Sequence, residues 1–219
     1  MPLYKTIKTD PFTKIFIWKI DEPFDELSKG IHLTKHCQNR VNNMKSDLHK
    51  RGFMSIRHLL ALAGYTDADL FYDNLGKPHL KNGKFISISH SFIFTTIIIS
   101  EKVRVGIDIE RQRDKIIRIA HKFTTPDDYT HLNQFDLIRK LTVVWGAKES
   151  IYKIYEQEGL SFLEHIYVYD FELNDRTTTA KVSFNNKISQ YSVHFLELEG
   201  FTCVYAFEVN SKTFSKTLS

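Results

Sequence analysis

The chain has little of what marks small disulfide-bonded, zinc-binding or membrane-spanning proteins. Its 219 residues include only two cysteines, Cys37 and Cys203, with no CxxC pair, so we expect neither a disulfide framework nor a zinc site. The longest apolar stretch, around residues 97–99, is far too short to span a bilayer, and the first ten residues lack the apolar core of a signal peptide. We therefore expect no membrane association and a reducing cytoplasm as the location.

The chain also lacks a strong charge signal. A net charge of +4 and a pI near 8.9 are mildly basic, which suits an anionic ligand or an acidic partner. No aromatic-interleaved basic stripe and no nucleic-acid motif is present, so we expect no nucleic-acid partner. With 42% hydrophobic residues and 17 Phe, the composition is that of a globular protein with a core rich in aromatic side chains and strands.

The order of predicted elements is helices followed by strands, and it occurs twice. In the first half, a helical pattern from about 33 to 63, with a break at Gly52, precedes strands at 85–89, 95–100 and 103–109. In the second half, short helices, including one at 126–132, and a long helix ending at Gly159 precede strand-like runs at 166–171, 179–184, 191–198 and 202–209. This order predicts an α+β fold with two similar halves.

The segment VGIDIE, residues 105–110, alternates apolar residues with a glycine and two acids. On a strand, Asp108 and Glu110 project from the same face, where like charges repel each other. A cation should therefore lie nearby, and Mg²⁺ is a hard ion that one or two carboxylates commonly bind. The alternative is that the strand ends at the surface and water solvates both acids.

The segment WGAKESIYK, residues 145–153, has the pattern of a helix. Trp145, Glu149 and Lys153 are four residues apart and share one face, with Lys148 on a neighbouring face. Glu149 and Lys153 could form an ordinary surface ion pair. Because an indole lies on the same face, we instead expect that face to pack against the rest of the protein, where a charge pair needs a reason.

The segment GKPHLKNGKFISISHS, residues 76–91, combines a turn with an alternating strand. The GKP turn carries Lys77 and Pro78, and the strand ends in Ser89, His90 and Ser91. Small polar donors of this kind suit phosphate oxygens, although a histidine at a strand end is often structural.

Together, in this order and spacing, the three segments resemble the 4′-phosphopantetheinyl transferases of the larger, surfactin-synthetase-activating type. That family shows GKP, a strand ending in SHS, then GxDxE, and about forty residues later a W-x-x-K-E-[AS]-x-x-K helix. The resemblance implies a holo-[acyl-carrier-protein] synthase activity, in which the phosphopantetheine arm of coenzyme A moves to a serine of an acyl or peptidyl carrier protein. It also implies a monomer of two similar halves related by a pseudo-two-fold axis, each a small antiparallel sheet packed with helices.

The resemblance assigns each half a task. Residues 1–102 would provide nucleotide contacts for coenzyme A, and residues 103–219 the metal site and the catalytic helix, with the active site in the cleft between them. By the match, Mg²⁺, or possibly Mn²⁺, is bound by Asp108, Glu110 and Glu149. Glu149 would also be the general base, and Lys153 would steady the α-phosphate or the leaving group.

The coenzyme contacts implied by the resemblance come from both halves. Lys148 and Lys153 contribute from the catalytic helix, and the first half contributes Lys77, Pro78, Ser89 and His90. The segment HKRGFMSIRHLL resembles the family's basic helix, which nominates Arg57 first and then Arg51 and Lys50. A solvated basic face is the alternative for these last three, and a solvent-exposed lysine is the alternative for Lys148.

Two other functions fit parts of the pattern. A metal-dependent phosphohydrolase would use the same three carboxylates but leaves GKP and SHS without a role. A non-catalytic binder of coenzyme A or of a carrier domain should have lost a metal ligand, and all three are present.

One departure from the family is Gly146, where many relatives carry Ser, Thr or Cys. Since glycine inside a helix costs about 1 kcal/mol against alanine, it suggests close packing there.

Overall fold

The computed structural model describes residues 3–125, 129, 131–155 and 157–209. It confirms the predicted α+β class, with antiparallel sheets packed against helices. The chain divides into two compact units, residues 1–102 and 103–219, here called unit 1 and unit 2. Within the described ranges, no helix is both long and apolar enough to cross a membrane.

Unit 1 contains a four-stranded antiparallel sheet in the order β1-β2-β6-β5 and a two-stranded sheet, β3-β4. Its strands are β1 (Leu3–Asp10), β2 (Thr13–Lys19), β3 (Leu70–Tyr72), β4 (Pro78–Leu80), β5 (Phe85–Ser91) and β6 (Phe94–Ser100). Its helices are α1 (Phe24–Ser28), α2 (Lys35–Asn43) and α3 (Asp47–Leu62). The apolar face of α3 includes Leu59 and Leu60, both fully buried, and packs with residues of β2 and β6 in one core.

The helical region of unit 1 breaks at a different place from the one predicted. The predicted break is at Gly52, but α2 ends at Asn43 and α3 starts at Asp47, so Gly52 lies inside α3. The Ser46 hydroxyl starts the new helix by accepting a hydrogen bond from the His49 amide at 3.3 Å. A capping serine is a stronger helix-start signal than one interior glycine is a stop signal.

Unit 2 contains a five-stranded antiparallel sheet in the order β7-β11-β10-β9-β8. Its strands are β7 (Val105–Arg111), β8 (Ile166–Val168), β9 (Thr177–Phe184), β10 (Lys187–Leu198) and β11 (Phe201–Val209). Its helices are α4 (Lys115–Ile119) and α5 (Gln134–Tyr155), with a short 3₁₀ turn at Ala120–Lys122. Helix α5 lies on β7 and β11 and buries Val143, Ala147 and Ile151 against the sheet.

The predicted strands and the long helix of unit 2 are present, with shifted ends. Helix α5 is described to Tyr155 rather than to the predicted end at Gly159. The short helix predicted at 126–132 falls mostly outside the described residues. Strands β1 and β4 in unit 1 are not predicted by the sequence pattern.

Candidate functional site

Two glycines allow α5 to lie unusually close to the sheet of unit 2. A Cβ atom on Gly106 of β7 would come within 1.9 Å of the Ser150 carbonyl oxygen in α5. A Cβ atom on Gly146 of α5 would lie 2.6 Å from a methyl carbon of Val204 in β11. The close packing suggested by Gly146 is thus present. Helix α5 crosses β7 at Gly106. Because side chains two residues apart on a strand project from the same face, the side chains of the next residues on that face come to lie under α5.

Those next residues are Asp108 and Glu110, which alternate with Ile107 and Ile109 along β7. Asp108 is 7% exposed and pairs across the sheet with Val204, beneath the helix. Glu110 is less buried, since it lies nearer the end of the strand. The alternation read from VGIDIE therefore holds, but Asp108 is enclosed rather than solvated.

Cations meet both strand carboxylates. The Lys153 ammonium of α5 lies 2.9 Å from Asp108 Oδ1 and donates a second hydrogen bond, of 2.8 Å, to the Ile107 carbonyl. The Arg113 guanidinium lies 3.0 Å from Glu110 Oε1. Arg113 is not among the predicted site residues. The sequence does show an arginine three residues after Glu110, and this spacing could have indicated the ion pair.

Glu149 is half-buried on α5 and lies within the electrostatic field of the other two acids. Burial raises the pKa of its carboxyl, and the negative charges of Asp108 and Glu110 raise it further, while Lys153 acts in the opposite direction. Glu149 thus lies close enough to two further carboxylates and to Lys153 for all three to shift its pKa. A cluster of this kind is typical of sites that bind a cation or accept a proton.

The donor set suits a hard divalent cation, since carboxylate oxygens are the ligands that Mg²⁺ prefers. In the described ranges, however, no group of three or more His, Cys, Asp or Glu side chains converges closely enough to hold a metal ion. Asp108 and Glu110 are near enough to Glu149 to raise the pKa of its carboxyl, but their own side chains are oriented toward Lys153 and Arg113. Binding a metal here would require these side chains to rotate away from their cations.

Lys148, predicted to contact the coenzyme, is instead buried within unit 2. It is 4% exposed, and its ammonium donates to the carbonyls of Phe162 and Ile166 at 2.6 and 2.5 Å. Burial lowers its pKa to about 8. The side chain extends from α5 toward the chain around the start of β8, and the coenzyme contact stays a prediction.

The indole of Trp145 packs inside unit 2, as the shared helix face predicts. Its ring lies 5.2 Å from Phe123 and 5.4 Å from Phe162, centroid to centroid. Phe162 also lies 5.5 Å from the ring of Tyr152. These contacts fix the face of α5 that carries Glu149.

Unit 1 brings two of the predicted phosphate contacts to the end of β5. Ser89 is buried, whereas His90 is exposed and its ring lies 6.4 Å from the exposed ring of His49, edge to face. His49 was not a predicted site residue, because its position on α3 relative to β5 depends on the tertiary fold. Lys77 and Pro78 are half-buried at the GKP turn, where the Lys77 amide donates to Asp73 Oδ1 at 2.9 Å.

Arg57, the first choice for a coenzyme phosphate contact, is a buried structural residue. It is 3% exposed and its Nε lies 2.9 Å from Asp67 Oδ1. Its other nitrogens donate to the Phe53 carbonyl and to Cys37 Sγ, at 3.2 and 3.4 Å. These partners enclose the guanidinium, which a spacing pattern on a helix does not reveal, and the phosphate contact of Arg57 stays a prediction.

The two remaining basic candidates lie on the first turns of α3. Arg51 donates to the Ile20 carbonyl at 3.0 Å, and its side chain is 23% exposed. The ammonium of Lys50 lies 5.9 Å from the ring centre of Phe24. Both keep part of their surface open to solvent, so they are available for an anionic ligand in a way that Arg57 is not.

Comparison with known proteins bears on unit 2. No match was found among curated proteins. A family model matches residues 104–207, and the segments GKP and SHS, at residues 76–91 of unit 1, lie outside that range. That match supports phosphopantetheinyl transfer in general and a transferase of that kind. The model of the 4′-phosphopantetheinyl transferase superfamily matches residues 104–207, and thereby covers Asp108, Glu110, Glu149 and Lys153.

Proposed function

We propose that this protein transfers the 4′-phosphopantetheine arm of coenzyme A to a serine of an apo acyl or peptidyl carrier protein, releasing 3′,5′-ADP. It would be a holo-[acyl-carrier-protein] synthase of the larger, surfactin-synthetase-activating type. The observation that carries the proposal is that Glu149 lies within the electrostatic field of Asp108, Glu110 and Lys153, in the segment that matches the superfamily. The GKP and SHS segments support the larger type.

Asp108, Glu110 and Glu149 would hold a divalent cation, Mg²⁺ or Mn²⁺. When bound, such a cation neutralises charge on the pyrophosphate of coenzyme A and orients it. Lys153, whose ammonium lies 2.9 Å from Asp108 Oδ1, would place a positive charge beside this site. Its proposed role is to steady the α-phosphate of the leaving 3′,5′-ADP.

Glu149 is the proposed general base. The serine oxygen of the carrier forms a bond to the phosphorus that bears the pantetheine arm, and the bond from that phosphorus to the bridging oxygen of 3′,5′-ADP breaks. The serine proton passes to Glu149. A carboxyl whose pKa is raised by burial and by neighbouring acids accepts a proton more readily than an ordinary glutamate.

In unit 1, we propose that the exposed side chain of His90 and the neighbouring Ser89 contact the adenosine phosphates, together with Lys77 and Pro78. Lys50 and Arg51 are the proposed basic contacts from α3, and they replace Arg57 in that role. Positive charge and hydrogen-bond donors at these positions suit the anionic nucleotide end of coenzyme A.

The proposal is tested by incubating the protein with coenzyme A, MgCl₂ and a panel of apo carrier proteins, followed by mass spectrometry of the carriers. The expected result is a mass increase of one phosphopantetheine group that EDTA prevents. The E149Q variant should lose transfer but still bind coenzyme A in calorimetry. Failure to modify any carrier, or release of phosphate from coenzyme A without a carrier, would contradict the proposal, and the second outcome would indicate a phosphohydrolase.

A further inference from the structure

Two buried lysines on α5 have different surroundings. Lys140 is 6% exposed, lies 2.8 Å from the Asp170 carboxylate and also donates to the Phe171 carbonyl. Lys148 is as deeply buried, but no carboxylate of the described residues pairs with it, and its two partners are main-chain carbonyls. A buried charge without a counter-ion is costly, so the ammonium of Lys148 requires an explanation.

The partners of Lys148 are the carbonyl of Phe162, which lies within a tight turn at residues 161–165, and the carbonyl of Ile166, which directly follows that turn. The turn is closed by its own hydrogen bonds. The Ser161 amide donates to His165 Nδ1 at 2.8 Å, the His165 amide donates to the Ser161 carbonyl at 3.0 Å, and the Glu164 amide donates to Ser161 Oγ at 3.2 Å. Lys148 therefore does not shape the turn; it attaches the turn to α5.

The attached turn presents apolar surface beside the proposed general base. Leu163, in the turn, is 47% exposed, and Tyr152, three residues beyond Glu149 on α5, is 44% exposed. The ring of Phe162, the chain neighbour of Leu163, lies 5.5 Å from the ring of Tyr152. Exposed apolar side chains grouped at a reaction site indicate contact with a protein partner.

The geometry of the reaction identifies that partner. For Glu149 to accept its proton, the acceptor serine must come within hydrogen-bond distance of the Glu149 carboxylate. The surface that surrounds the serine must then cover the exposed side chains one helical turn from Glu149. The exposed apolar surface of Leu163 and of the Tyr152 ring suits contact with a protein, so the carrier protein is the substrate that fits these side chains.

We propose that Lys148 is a positioning residue for the protein substrate: its ammonium fixes the 161–165 turn against α5, so that Leu163 and Tyr152 form a seat for the carrier protein beside Glu149. This inference rests on the proposed function, and it replaces the predicted contact of Lys148 with coenzyme A. Lys148 acts through the turn and touches neither substrate.

The test is a steady-state comparison of wild type, K148M and K140M with coenzyme A, MgCl₂ and an apo carrier protein. K148M removes the ammonium but keeps an apolar stem of similar length. It should raise the KM for the carrier about tenfold, as expected for loss of a well-placed contact region, and leave the KM for coenzyme A within about twofold. The matched control K140M should leave both KM values unchanged, because its ammonium anchors a different segment.

The results separate this role from others. A KM for coenzyme A that rises as much as that for the carrier would restore a direct coenzyme contact and overturn the inference, as would an unchanged carrier KM. If K148M fails to fold, the surface variant L163S tests the seat alone, and it should raise the carrier KM without changing the melting temperature. An unchanged carrier KM in L163S would also overturn the inference.

The same assay shows which proposal has failed. If the wild type transfers nothing to any carrier, the proposed function is wrong and the inference falls with it. If the wild type is active and the variants keep its carrier KM, only the inference is wrong. Hydrogen exchange of the Glu164 and His165 amides gives a readout independent of activity, and it should be faster in K148M than in wild type.

Discussion

Helices α3 and α5 each lie on the sheet of their own unit, and they differ in the charged groups that surround their buried ionisable side chains. On α3, the guanidinium of Arg57 meets the carboxylate of Asp67 at 2.9 Å, and both side chains are almost fully enclosed. On α5, Glu149 lies in the electrostatic field of two further carboxylates, and the opposing effect of Lys153 does not outweigh burial and these charges, so its pKa is raised. A charge that is satisfied internally stabilises its own unit, whereas charges kept in mutual repulsion are available for chemistry.

The two helices also differ in how their glycines are used. A Cβ on Gly52 of α3 would meet its nearest atoms, in Ile20 and Thr95, at 3.9 Å, which is an ordinary contact distance. On unit 2, a Cβ on Gly106 or Gly146 would collide with the facing element. The tight approach of helix and sheet is therefore specific to the unit that carries the acid cluster.

The largest expected effect comes from breaking the buried ion pair of unit 1. R57M leaves the Asp67 carboxylate buried without its cation and should lower the free energy of unfolding by about 3–5 kcal/mol, measured by urea titration. In the matched double variant R57M/D67L no charge remains, so the loss should be clearly smaller. A double variant less stable than R57M would contradict the assignment of Arg57 as a structural residue.

Filling the space between β7 and α5 should come next. G106A places a methyl group 1.9 Å from a main-chain oxygen, which α5 can relieve only by moving, and we expect a loss of about 3 kcal/mol in unfolding free energy. The helix control G52A has room for the methyl group and should gain about 0.5–1 kcal/mol, since alanine favours the helix over glycine. Equal effects of the two substitutions would remove the contrast between the units.

The Gly146 contact should be weaker, because the obstructing atom belongs to a side chain. G146A should cost about 1–2 kcal/mol, measured by thermal or urea unfolding. Truncating the facing valine should make room, so that the loss in G146A/V204A is smaller than the sum of the two single losses. Strict additivity would show that Val204 is not what limits residue 146.

The smallest expected effect is the pH dependence of the Arg57–Asp67 pair. Burial alone would raise the pKa of Asp67, but hydrogen bonds from Thr34 and the charge of Arg57 lower it below its ordinary value. A carboxyl with a lowered folded-state pKa stabilises the protein fully above its unfolded-state pKa of about 3.9, and this contribution is lost as the pH falls through the folded-state value.

The stability difference between wild type and D67N should therefore be constant from about pH 7 to about pH 5 and shrink below about pH 4. Urea titrations of both proteins across this range measure it. A difference that stays constant down to about pH 3, or that shrinks above about pH 5, would contradict the lowered pKa of Asp67.

The sequence predicts much of the fold because its periodic patterns are strong. The alternation in VGIDIE and the four-residue spacing in WGAKESIYK correctly predict β7 and α5. The predicted break at Gly52 is misplaced because the pattern of apolar residues does not show that Ser46 caps the start of α3. Strand β4 has only three residues, and a segment this short gives no period to detect.

The site is only partly predictable, for a different reason. VGIDIE and WGAKESIYK themselves contain Asp108, Glu110 and Glu149, so their own patterns reveal these acids. The positions of the Arg57 and Lys148 side chains depend on their partners, which are Asp67 for Arg57 and the 161–165 turn for Lys148. Only the tertiary fold brings these partners into contact. A basic residue on a helix looks the same in sequence whether it faces solvent, an acid or a carbonyl.

The central claim is that Glu149, whose negative charge Asp108 and Glu110 oppose, binds a cation together with these two acids. Thermal unfolding of wild type and E149Q, with EDTA or with MgCl₂, tests this claim most directly. With EDTA, E149Q should melt at a higher temperature than wild type, because it removes a charge that Asp108 and Glu110 oppose. With MgCl₂, the wild type should gain stability and E149Q should gain little. A less stable E149Q with EDTA, or an equal gain of both proteins with MgCl₂, would contradict the account.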